Sequence, residues 1–558
     1  MWLSSSYLLR PQIIWLKDND NTMARNPFRD LTAYFIFLLL TATIGPLLFG
    51  YHLAELNAPQ DVITCVKKSL EASTLEHVRS VFSSSPAETR SLEGLPQCIP
   101  MSSGQFGLVS SVFTLGGLIG ALSSGPMAAK YGRLRSMLFN TVFFTIGPLI
   151  SALAPSVAVM SAGRFVSGLG AGAAVVVVPI FISEVAPPEE KGFFGSFTQV
   201  MINFGIFITQ LLGYFLSQGQ LWRIIIAAAG AIGLLQTVCL AVGGQESPKW
   251  MADHGKPSRA KRVLRKLRGH HVDIKEEVIG WGCESERDMD DEEETLLANE
   301  DHMHENPDTG APVNANSASN DDHDNNSIMS ASRQAAASTK RQTLGVLAVL
   351  TNRQYSPAVF AVMMTMIAQQ LLGINSIVMY GVSLLSSLLG ANSALLNIFV
   401  SLLNMFVTLA AAPLIDYLGR KSCLLLSIAG MGTSSVLLGI GIMQHIAPLS
   451  VISVITFVAS FGLGLGPVPF ILSSELTGPE AVGATQSWAL AANWVATFVV
   501  AQFFPIVNEK LGAGQVYFIF AGFAVLFGGL TAKFVPETKG KADVDEVWGR
   551  KKEGRRED

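Results

Sequence analysis

About twelve stretches of about 20 apolar residues, each with few or no charges, constrain this chain more than any other feature of its sequence. A stretch of that kind crosses a bilayer as a helix, because a helix pairs its own backbone polar groups where water is absent. The predicted spans 1–6 cover residues 32–54, 104–127, 134–154, 157–182, 193–216 and 221–243. Spans 7–12 cover residues 355–388, 393–416, 422–443, 449–474, 482–508 and 514–534. The sequence therefore predicts an all-α polytopic membrane protein with two six-helix bundles.

The low content of charged residues agrees with this prediction. Only 15% of the 558 residues are charged and 49% are hydrophobic, whereas a soluble protein carries about a quarter charged residues. Much of the surface is therefore expected to face lipid. The net charge of −4 does not favour a nucleic-acid partner.

The basic residues predict how the chain is oriented in the membrane. Lys130, Arg133 and Arg135 lie between spans 2 and 3, and Arg420 and Lys421 lie between spans 8 and 9. Loops rich in Lys and Arg stay on the cytosolic side. Both termini and the long central linker are therefore predicted to be cytosolic.

Composition divides the chain into five parts. These are a cytosolic tail at 1–31, a bundle at 32–243 with a long non-cytosolic loop at 55–103, a cytosolic linker at 244–345, a second bundle at 346–534 and a cytosolic tail at 535–558. The linker begins as a basic helix and then becomes acidic and rich in Asn and Ser, a composition typical of disorder. Its segment "EEETLL" at Glu292 matches an acidic-dileucine sorting pattern or is a chance match. The first 31 residues lack the pattern of a signal peptide, and the chain starts either at Met1 or at Met23.

Two of the five cysteines bracket the predicted non-cytosolic loop. Cys65 lies near its start and Cys98 near its end. In an oxidising compartment this topology allows a disulfide. Two free thiols are the alternative.

The two bundles carry matching loops, as in a transporter built from two parallel repeats. "GPMAAKYGRLRS" at Gly125 corresponds to "PLIDYLGRKS" at Pro413, and "FISEVAPPEEKG" at Phe181 corresponds to "ILSSELTGPEAVG" at Ile471. A six-helix unit used twice, with the same loops on the same face, indicates this architecture.

These segments resemble the sugar porter family of the major facilitator superfamily. The agreement runs from span 1 to span 12 and includes "GRFVSGLGAG" at Gly163, "QESPKW" at Gln245, "QQLLGINSIVMYG" at Gln369, "GPVPF" at Gly466 and "VPETKG" at Val535. The segment "GYHLAELNAPQ" at Gly50 resembles the fungal vacuole-associated members that are similar to glucose transporters. The resemblance implies a location in the vacuolar or the plasma membrane.

The resemblance implies a monomeric carrier that moves a hexose or another monosaccharide by alternating access. Two alternatives remain open: a carrier of inositol, another polyol or a cyclic acid, and a sugar sensor that does not transport. An enzyme is not expected, because the sequence shows no nucleotide-binding glycine loop, metal-ligand cluster or nucleophile motif. No cofactor or metal is expected either.

Amide side chains inside a membrane protein suit a ligand whose hydroxyl groups both donate and accept hydrogen bonds. The positions that match sugar contacts of the family are Gln199, Gln369, Gln370, Asn375, Asn404, Asn493 and Trp494. Phe470 stands where the family often has Trp, which keeps an apolar face but removes the indole N–H. Hydrogen bonding between neighbouring helices is the alternative role for each amide.

A third set of residues matches the family's charges at cytosolic helix ends, which link the bundles in the outward-facing state. It comprises Arg133, Arg164, Glu184, Asp416, Arg420 and Glu475. The chain departs from the family at Ala129, where an Asp is usual, and lacks a basic residue shortly after Glu475. We therefore expect a weakened or rearranged link.

Span 1 carries two titratable residues. His52 stands where proton-coupled sugar porters have an Asp near the span 4 arginine, here Arg164, and Glu55 follows three residues later. Residues three apart on a helix are neighbours, and buried ionisable groups in a membrane are usually functional. Their position near the non-cytosolic mouth suits proton exchange with an acidic lumen. We hypothesise that the pair couples sugar movement to protons. In the alternative, Glu55 reaches the aqueous mouth and the carrier is passive.

Overall fold

The computed structural model describes residues 32–66, 95–269, 272–279, 346–389, 392–477, 481–512, 514–541 and 544–549. The predicted N-terminal tail, most of the acidic half of the linker and the "EEETLL" segment lie outside the described residues. The described part is helical and contains no β-strand. The domain boundaries drawn from composition remain predictions.

Twelve helices in the described residues are long and apolar enough to cross a membrane. Spans 1–6 are the helices Ala33–Ala54, Ser103–Tyr131, Arg133–Ala152, Val157–Val185, Lys191–Leu216 and Trp222–Gly243. Spans 7–12 are Ser356–Leu371 with Ile374–Leu389, Asn392–Leu418, Arg420–Met443, Ala447–Ser460 with Val468–Leu476, Val482–Leu511 and Val516–Phe534. The prediction of an all-α, multi-pass membrane protein is confirmed.

Short helices lie at the two ends of the bundles. They are Gln60–Ile63, Pro248–Asp253, Pro257–Arg268, Lys275–Ile279, Val346–Thr351 and Val544–Val547, with a 3-10 turn at Pro188–Glu190. We call the end that carries the basic loops after spans 2 and 8 the basic end, and the end that carries Cys65 the disulfide end. The basic linker helix packs on the basic end of the first bundle, where Arg268 Nη1 donates to the carbonyl of Val185 at 2.7 Å.

Spans 7 and 10, which the sequence analysis gave as the single ranges 355–388 and 449–474, are both interrupted. Span 7 breaks at Gly373, which has φ +94°, and a Cβ there would lie 2.4 Å from the ring of Phe520. Span 10 passes through a π-helical turn at Phe461–Leu465. A Cβ on Gly464 would lie 2.3 Å from the carbonyl oxygen of Cys423. Both breaks release backbone groups in the interior, and such irregular backbone in membrane proteins is found where protein or a cavity surrounds it.

Glycines let spans 2 and 4 approach each other at backbone distance. A Cβ on Gly116 or Gly120 would lie 2.1 Å from a carbonyl oxygen of span 4. A Cβ on Gly168 or Gly172 would lie 2.0 or 1.9 Å from a carbonyl oxygen of span 2. Small residues spaced four apart are typical of tightly packed membrane helices. Spans 2 and 4 of the first bundle therefore pack directly through their backbones.

The two bundles meet mainly through spans 2 and 11 and through spans 5 and 8. At the first contact, Gly117 lies against Trp494, and a Cβ on the glycine would lie 2.4 Å from the indole. At the second contact, Asn203 donates to Thr408 Oγ1 at 3.1 Å. The polar residues of the candidate site lie near these two interfaces.

Replacing Gly120 by Ala should lower the melting temperature of the purified protein in detergent. The new methyl group has only the backbone of Leu169 to displace, and overpacking of this kind costs about 1–3 kcal/mol. Gly125→Ala on the same helix is the matched control, because a Cβ there has nothing within 4 Å. Equal melting temperatures for Gly120→Ala and the wild type would contradict the close packing of spans 2 and 4.

Candidate functional site

The break in span 7 brings one amide against the broken part of span 10. Gln369 Nε2 donates to the carbonyl oxygens of Leu465 and Gly466 at 2.9 and 3.0 Å. Both carbonyls lie at the end of the π-helical turn Phe461–Leu465, and Pro469, four residues after Leu465, has no N–H to donate to it. Gln369 therefore ties the two interrupted helices together.

The other amides of the break bond to one another. Gln370 Nε2 donates to Gln369 Oε1 at 3.1 Å and to Asn493 Oδ1 at 3.3 Å. Asn375 Nδ2 donates to Gln370 Oε1 at 2.6 Å, and Asn493 Nδ2 donates to Gln369 Oε1 at 2.7 Å. We call these four residues the amide cluster. It joins span 7 to span 11.

The amide cluster lies inside the protein rather than toward lipid. Gln369 and Asn375 are each 4% exposed and Gln370 is 7% exposed. Because the amides satisfy one another, a ligand hydroxyl would bind by replacing bonds within the cluster. A hydroxyl group can do so without leaving a buried polar atom unpaired, since it donates and accepts.

A second polar group joins the two bundles at spans 5 and 8. Asn203 Oδ1 accepts from Gln199 Nε2 at 3.4 Å and from Asn404 Nδ2 at 3.2 Å. Asn404 is 7% exposed, and its Oδ1 is buried without a hydrogen-bond partner in the described part of the chain. The sequence analysis predicted Gln199 and Asn404 but missed Asn203. A third amide four residues after Gln199, on the same helical face, was the available signal.

The two predicted aromatic contacts differ in their surroundings. Trp494 is 4% exposed and packs edge-on against Phe49 and Phe113 of the first bundle, with ring centroids 5.5 and 6.3 Å apart. It therefore lies at the interface between the bundles, directly after Asn493 of the amide cluster. Phe470 is 37% exposed, and its contact with a sugar remains a prediction.

His52, Glu55 and Arg164 form one buried charged group, which we call the charged triad. Glu55 Oε2 bonds to His52 Nδ1 at 3.0 Å, and Glu55 Oε1 accepts a short hydrogen bond from Arg164 Nη1. Arg164 Nη1 also donates to the backbone carbonyl of His52 at 2.8 Å. Arg164 therefore lies beside the end of span 1 near the disulfide end. Its assignment to the cytosolic helix ends was wrong, because it sits close to the start of span 4.

The charged triad is closed off from solvent in this structure. His52 is 0% exposed, and Glu55 and Arg164 are each 1% exposed. The alternative in which Glu55 reaches the aqueous mouth is therefore wrong for this conformation, because the Arg164 guanidinium binds the carboxylate inside the bundle. An unpaired charge in such a place would cost several kcal/mol. Pairing explains how the bundle tolerates both charges.

Aromatic rings connect the charged triad to the amide cluster. The Arg164 guanidinium lies 4.5 Å from the centre of the Phe113 ring, and Phe113 contacts Trp494. Two polar atoms of the triad, His52 Nε2 and Arg164 Nε, are buried without a hydrogen-bond partner in the described residues. The charged triad is therefore connected to the second bundle by direct contacts, from Arg164 to Phe113 and from Phe113 to Trp494.

Asn57 joins the bundles at the disulfide end and was missed by the sequence analysis. Its Nδ2 donates to the carbonyl of Val378 at 2.9 Å, and its Oδ1 accepts from the backbone N–H of Val382 at 3.0 Å. Asn57 Nδ2 also lies 3.4 Å from Asn397 Oδ1. Asn57 is 1% exposed. It follows Glu55 by two residues, so the triad and this contact share one short segment.

The structure joins Cys65 and Cys98 in a disulfide. The same segment is held by Ile99, whose N–H donates to the carbonyl of Ile63 at 2.8 Å. Arg223 Nη2 donates to the carbonyl of Pro96 at 2.8 Å. The chain after Asn57 is therefore fixed to the first bundle.

The predicted charges at the basic end pair within each bundle. Arg133 Nη2 contacts Glu184 Oε1 at 2.7 Å in the first bundle. In the second bundle, Arg420 contacts Glu475 at 2.9 Å and Asp416 at 3.0 Å. The structure does not place these pairs across the bundle interface, and their role in linking the bundles in another conformation remains a prediction. Residues 478–480, after Glu475, lie outside the described part.

Two further carboxylates occupy equivalent places in the two bundles. Glu246 Oε1 accepts from the first backbone N–H of span 3 at 2.7 Å, and Glu537 Oε1 accepts from that of span 9 at 2.9 Å. A carboxylate is stabilised at a helix N-terminus by the unpaired N–H groups and the helix dipole. Gly132 and Gly419, before these helices, have φ of +100° and +94°. The motifs "QESPKW" and "VPETKG" contain both acids, but the sequence analysis did not predict a partner for them.

In the described part of the chain, no group of three or more His, Cys, Asp or Glu residues is arranged to hold a metal ion. The polar interactions that these sites show are hydrogen bonds between amides and the buried pairs of the charged triad.

Comparison with known proteins gives a family match over most of the chain. The profile of the family described as "Sugar (and other) transporter" matches residues 38–303 and 304–548. Two relatives from Saccharomyces cerevisiae are "Probable metabolite transport protein YBR241C", 32% identical, and "Vacuolar protein sorting-associated protein 73", 31% identical. Each alignment covers 93% of this chain and 96% of the relative.

A more distant relative is "Solute carrier family 2, facilitated glucose transporter member 2" of Sus scrofa. It is 26% identical over 92% of this chain and 93% of its own length. Among solved structures, the partially occluded inward-open xylose transporter XylE from E. coli aligns with a TM-score of 0.67 and 23% identity. That alignment covers 92% of this chain and all of XylE, and it supports the fold.

Replacing Asn57 by Leu should loosen the contact between the bundles at the disulfide end. Each lost hydrogen bond contributes about 0.5–1.5 kcal/mol, so losing two of them should shift an open–closed equilibrium about tenfold or more. The measurement is the rate at which a cysteine at buried Val382 reacts with a membrane-impermeant thiol reagent, after replacement of Cys239, Cys283 and Cys423 by Ser.

Thr64→Val is the control for this experiment, because among the described residues the Thr64 hydroxyl bonds to the carbonyl of Gln60 in its own turn. An unchanged labelling rate in Asn57→Leu would show that Asn57 does not hold this end closed.

Proposed function

The chain belongs to the sugar (and other) transporter family, and from this premise we propose that it carries a hexose or a closely similar monosaccharide across a membrane by alternating access. The family consists of transporters and not of enzymes. The substrate class, the coupling to protons and the residue roles given below are our proposals.

The amide cluster is the observation that carries this proposal. Gln370 bonds to Gln369, Asn375 and Asn493 at the break of span 7. A monosaccharide presents several hydroxyl groups on a compact ring. Each hydroxyl can replace one amide–amide hydrogen bond of the cluster by a hydrogen bond between the amide and the sugar. An apolar substrate would leave the amides unpaired, at a cost of about 1–3 kcal/mol for each buried group.

Contacts at the disulfide end support a conformation that is closed there. Asn57 joins span 1 to the second half of span 7, and Ser111 Oγ of span 2 donates to Gln502 Oε1 of span 11 at 2.8 Å. In alternating access by rocking of two repeats, such contacts break when the binding site opens toward this side. The charged residues at the basic end would then come together and link the two bundles as that side closes.

The name of one yeast relative refers to vacuolar protein sorting. Together with the segment "GYHLAELNAPQ", this supports a vacuolar membrane location rather than the plasma membrane. The vacuolar lumen is acidic, and the disulfide end would face it in the predicted orientation. The carrier would then operate across a proton gradient.

We further propose that the charged triad couples sugar movement to that gradient. The titratable and charged groups around His52 and Glu55 are Arg164, Tyr51, with its ring 6.2 Å from that of His52, and Tyr380 of the second bundle near Arg164. A proton on Glu55 would weaken its bond to Arg164, and a proton on His52 would strengthen the His52–Glu55 pair. Either change alters how strongly Glu55 binds the Arg164 guanidinium, which lies against Phe113.

Replacing Gln370 by Leu should raise the KM for D-glucose at least about tenfold, because three bonds of the amide cluster are lost at once. Uptake is measured in cells that lack their own hexose carriers, with a tagged copy imaged to establish its location. Gln444→Leu is the control, because this amide is exposed at the end of span 9.

Counterflow with D-glucose, D-xylose, myo-inositol and quinate separates the substrate classes. Preferred exchange of inositol or quinate would replace the hexose proposal with that of a polyol or cyclic acid carrier. Binding of D-glucose without any flux would identify a sensor.

In proteoliposomes, an imposed pH gradient should drive the wild type to accumulate sugar above its equilibrium level. His52→Asn and Glu55→Gln should equilibrate sugar without accumulation, since they remove the groups that exchange the proton. Both variants should retain counterflow, which needs no net proton movement and shows that they are folded. Thr145→Val is the control, because its hydroxyl bonds within span 3. Equal uptake with and without the gradient in all proteins would exclude coupling.

A further inference from the structure

Asn203 occupies a position between two amides that the sequence analysis assigned to sugar binding. It is 2% exposed on span 5. Its Oδ1 accepts one N–H from Gln199 of the same helix and one from Asn404 of span 8. Its own Nδ2 donates to Thr408 Oγ1 at 3.1 Å. Thr408 Oγ1 therefore accepts from the NH2 group of Asn203, while Asn203 Oδ1 accepts from the two neighbouring amides.

These bonds determine which atoms of the two neighbouring amides remain available. The NH2 groups of Gln199 and Asn404 are turned toward Asn203. Within the described residues, Gln199 Oε1 accepts no hydrogen bond and its side chain is partly exposed. Asn404 Oδ1 is buried without a partner, and a Cβ on Gly462 would lie 3.1 Å from it. This wall between the bundles therefore presents two carbonyl oxygens that accept no hydrogen bond from the described residues.

We propose that Asn203 is a positioning residue for sugar recognition. By holding both NH2 groups it keeps the carbonyl oxygens of Gln199 and Asn404 directed away from itself, where they select a ligand hydroxyl that donates a hydrogen bond. This inference rests on the proposed monosaccharide function and adds a rule for specificity. The competing role is a purely structural bridge between spans 5 and 8.

The rule separates two kinds of sugar analogue. A deoxy sugar lacks the hydroxyl at one carbon, whereas a fluoro sugar keeps a small electronegative atom that accepts weakly and cannot donate. Against fixed carbonyl oxygens both analogues lose the bond, and the fluorine meets another electronegative atom. Against an amide that is free to turn, the NH2 group can face the fluorine, and the fluoro sugar regains binding.

The experiment compares inhibition of D-glucose uptake by each monodeoxy and each monofluoro analogue of D-glucose. In the wild type, one carbon should be found at which both analogues bind about tenfold or more weakly than D-glucose. Leucine has a similar shape to asparagine but no polar side-chain atoms. In Asn203→Leu, binding of the fluoro analogue at that carbon should therefore become at least threefold stronger relative to binding of the deoxy analogue. A bridge that only supports the fold would affect both analogues equally.

Two further variants and one control complete the test. Asn203→Asp keeps the accepting oxygen and should keep the wild-type ratio. Thr408→Val removes the acceptor that orients Asn203, so it should shift the ratio in the same direction as Asn203→Leu and serves if that variant does not fold. Thr198→Val is the control on span 5, because its buried hydroxyl has no partner in the described residues, and it should behave as the wild type.

The ratio to compare is that of the inhibition constants of the fluoro and the deoxy analogue at each carbon. If this ratio is unchanged at every carbon in Asn203→Leu, the positioning role is wrong, although sugar transport itself stays intact. The same holds for Thr408→Val if only that variant folds. Failure of the proposed hexose function would be recognised by a separate measurement on the wild type. If D-glucose is neither transported by the wild type nor protects it against thermal unfolding, then the hexose function and the inference that rests on it are both wrong.

Discussion

The cost of burying polar groups away from water governs this structure. In the membrane interior an unpaired amide costs about 1–3 kcal/mol, and an unpaired charge costs more. The described interior nevertheless contains the amide cluster, the charged triad and the bridge at Asn203. Most of their polar atoms are paired with other side chains or with backbone carbonyls, such as those of Leu465 and Gly466 in span 10. The pairing partners therefore define where a hydrophilic ligand would have to exchange hydrogen bonds with the protein.

Several of these contacts lie between the two bundles, where a rocking motion would change them. Asn57 bonds to the second half of span 7, Asn203 bonds to span 8, and Trp494 packs against Phe113. Phe113 also lies against the Arg164 guanidinium. Helix packing inside the first bundle is tight by comparison, since spans 2 and 4 touch through backbone at their glycines. This contrast suits a transporter whose two halves move as units about fixed interfaces.

Much of the site could be predicted from sequence because its residues are unusual for a membrane span. Gln369, Gln370 and Asn375 stand out in an apolar segment, and the structure places them in one hydrogen-bonded cluster. Asn57 and Asn203 are the same residue type, but their roles depend on partners more than 200 positions away in the chain. Arg164 was assigned both to the cytosolic helix ends and to the surroundings of His52, and the structure supports only the second, because Arg164 lies near the start of span 4.

The sequence by itself determined the twelve spans, the repetition of a six-helix unit and the identity of the polar residues carried into the membrane. These follow from local composition, since about 20 apolar residues are needed to cross a bilayer whatever surrounds them. Only the tertiary structure decided which polar groups pair, where spans 7 and 10 break, and that Glu55 is held by Arg164 inside the bundle. Pairing depends on distances of about 3 Å between atoms remote in sequence, and only the packing of the helices sets those distances.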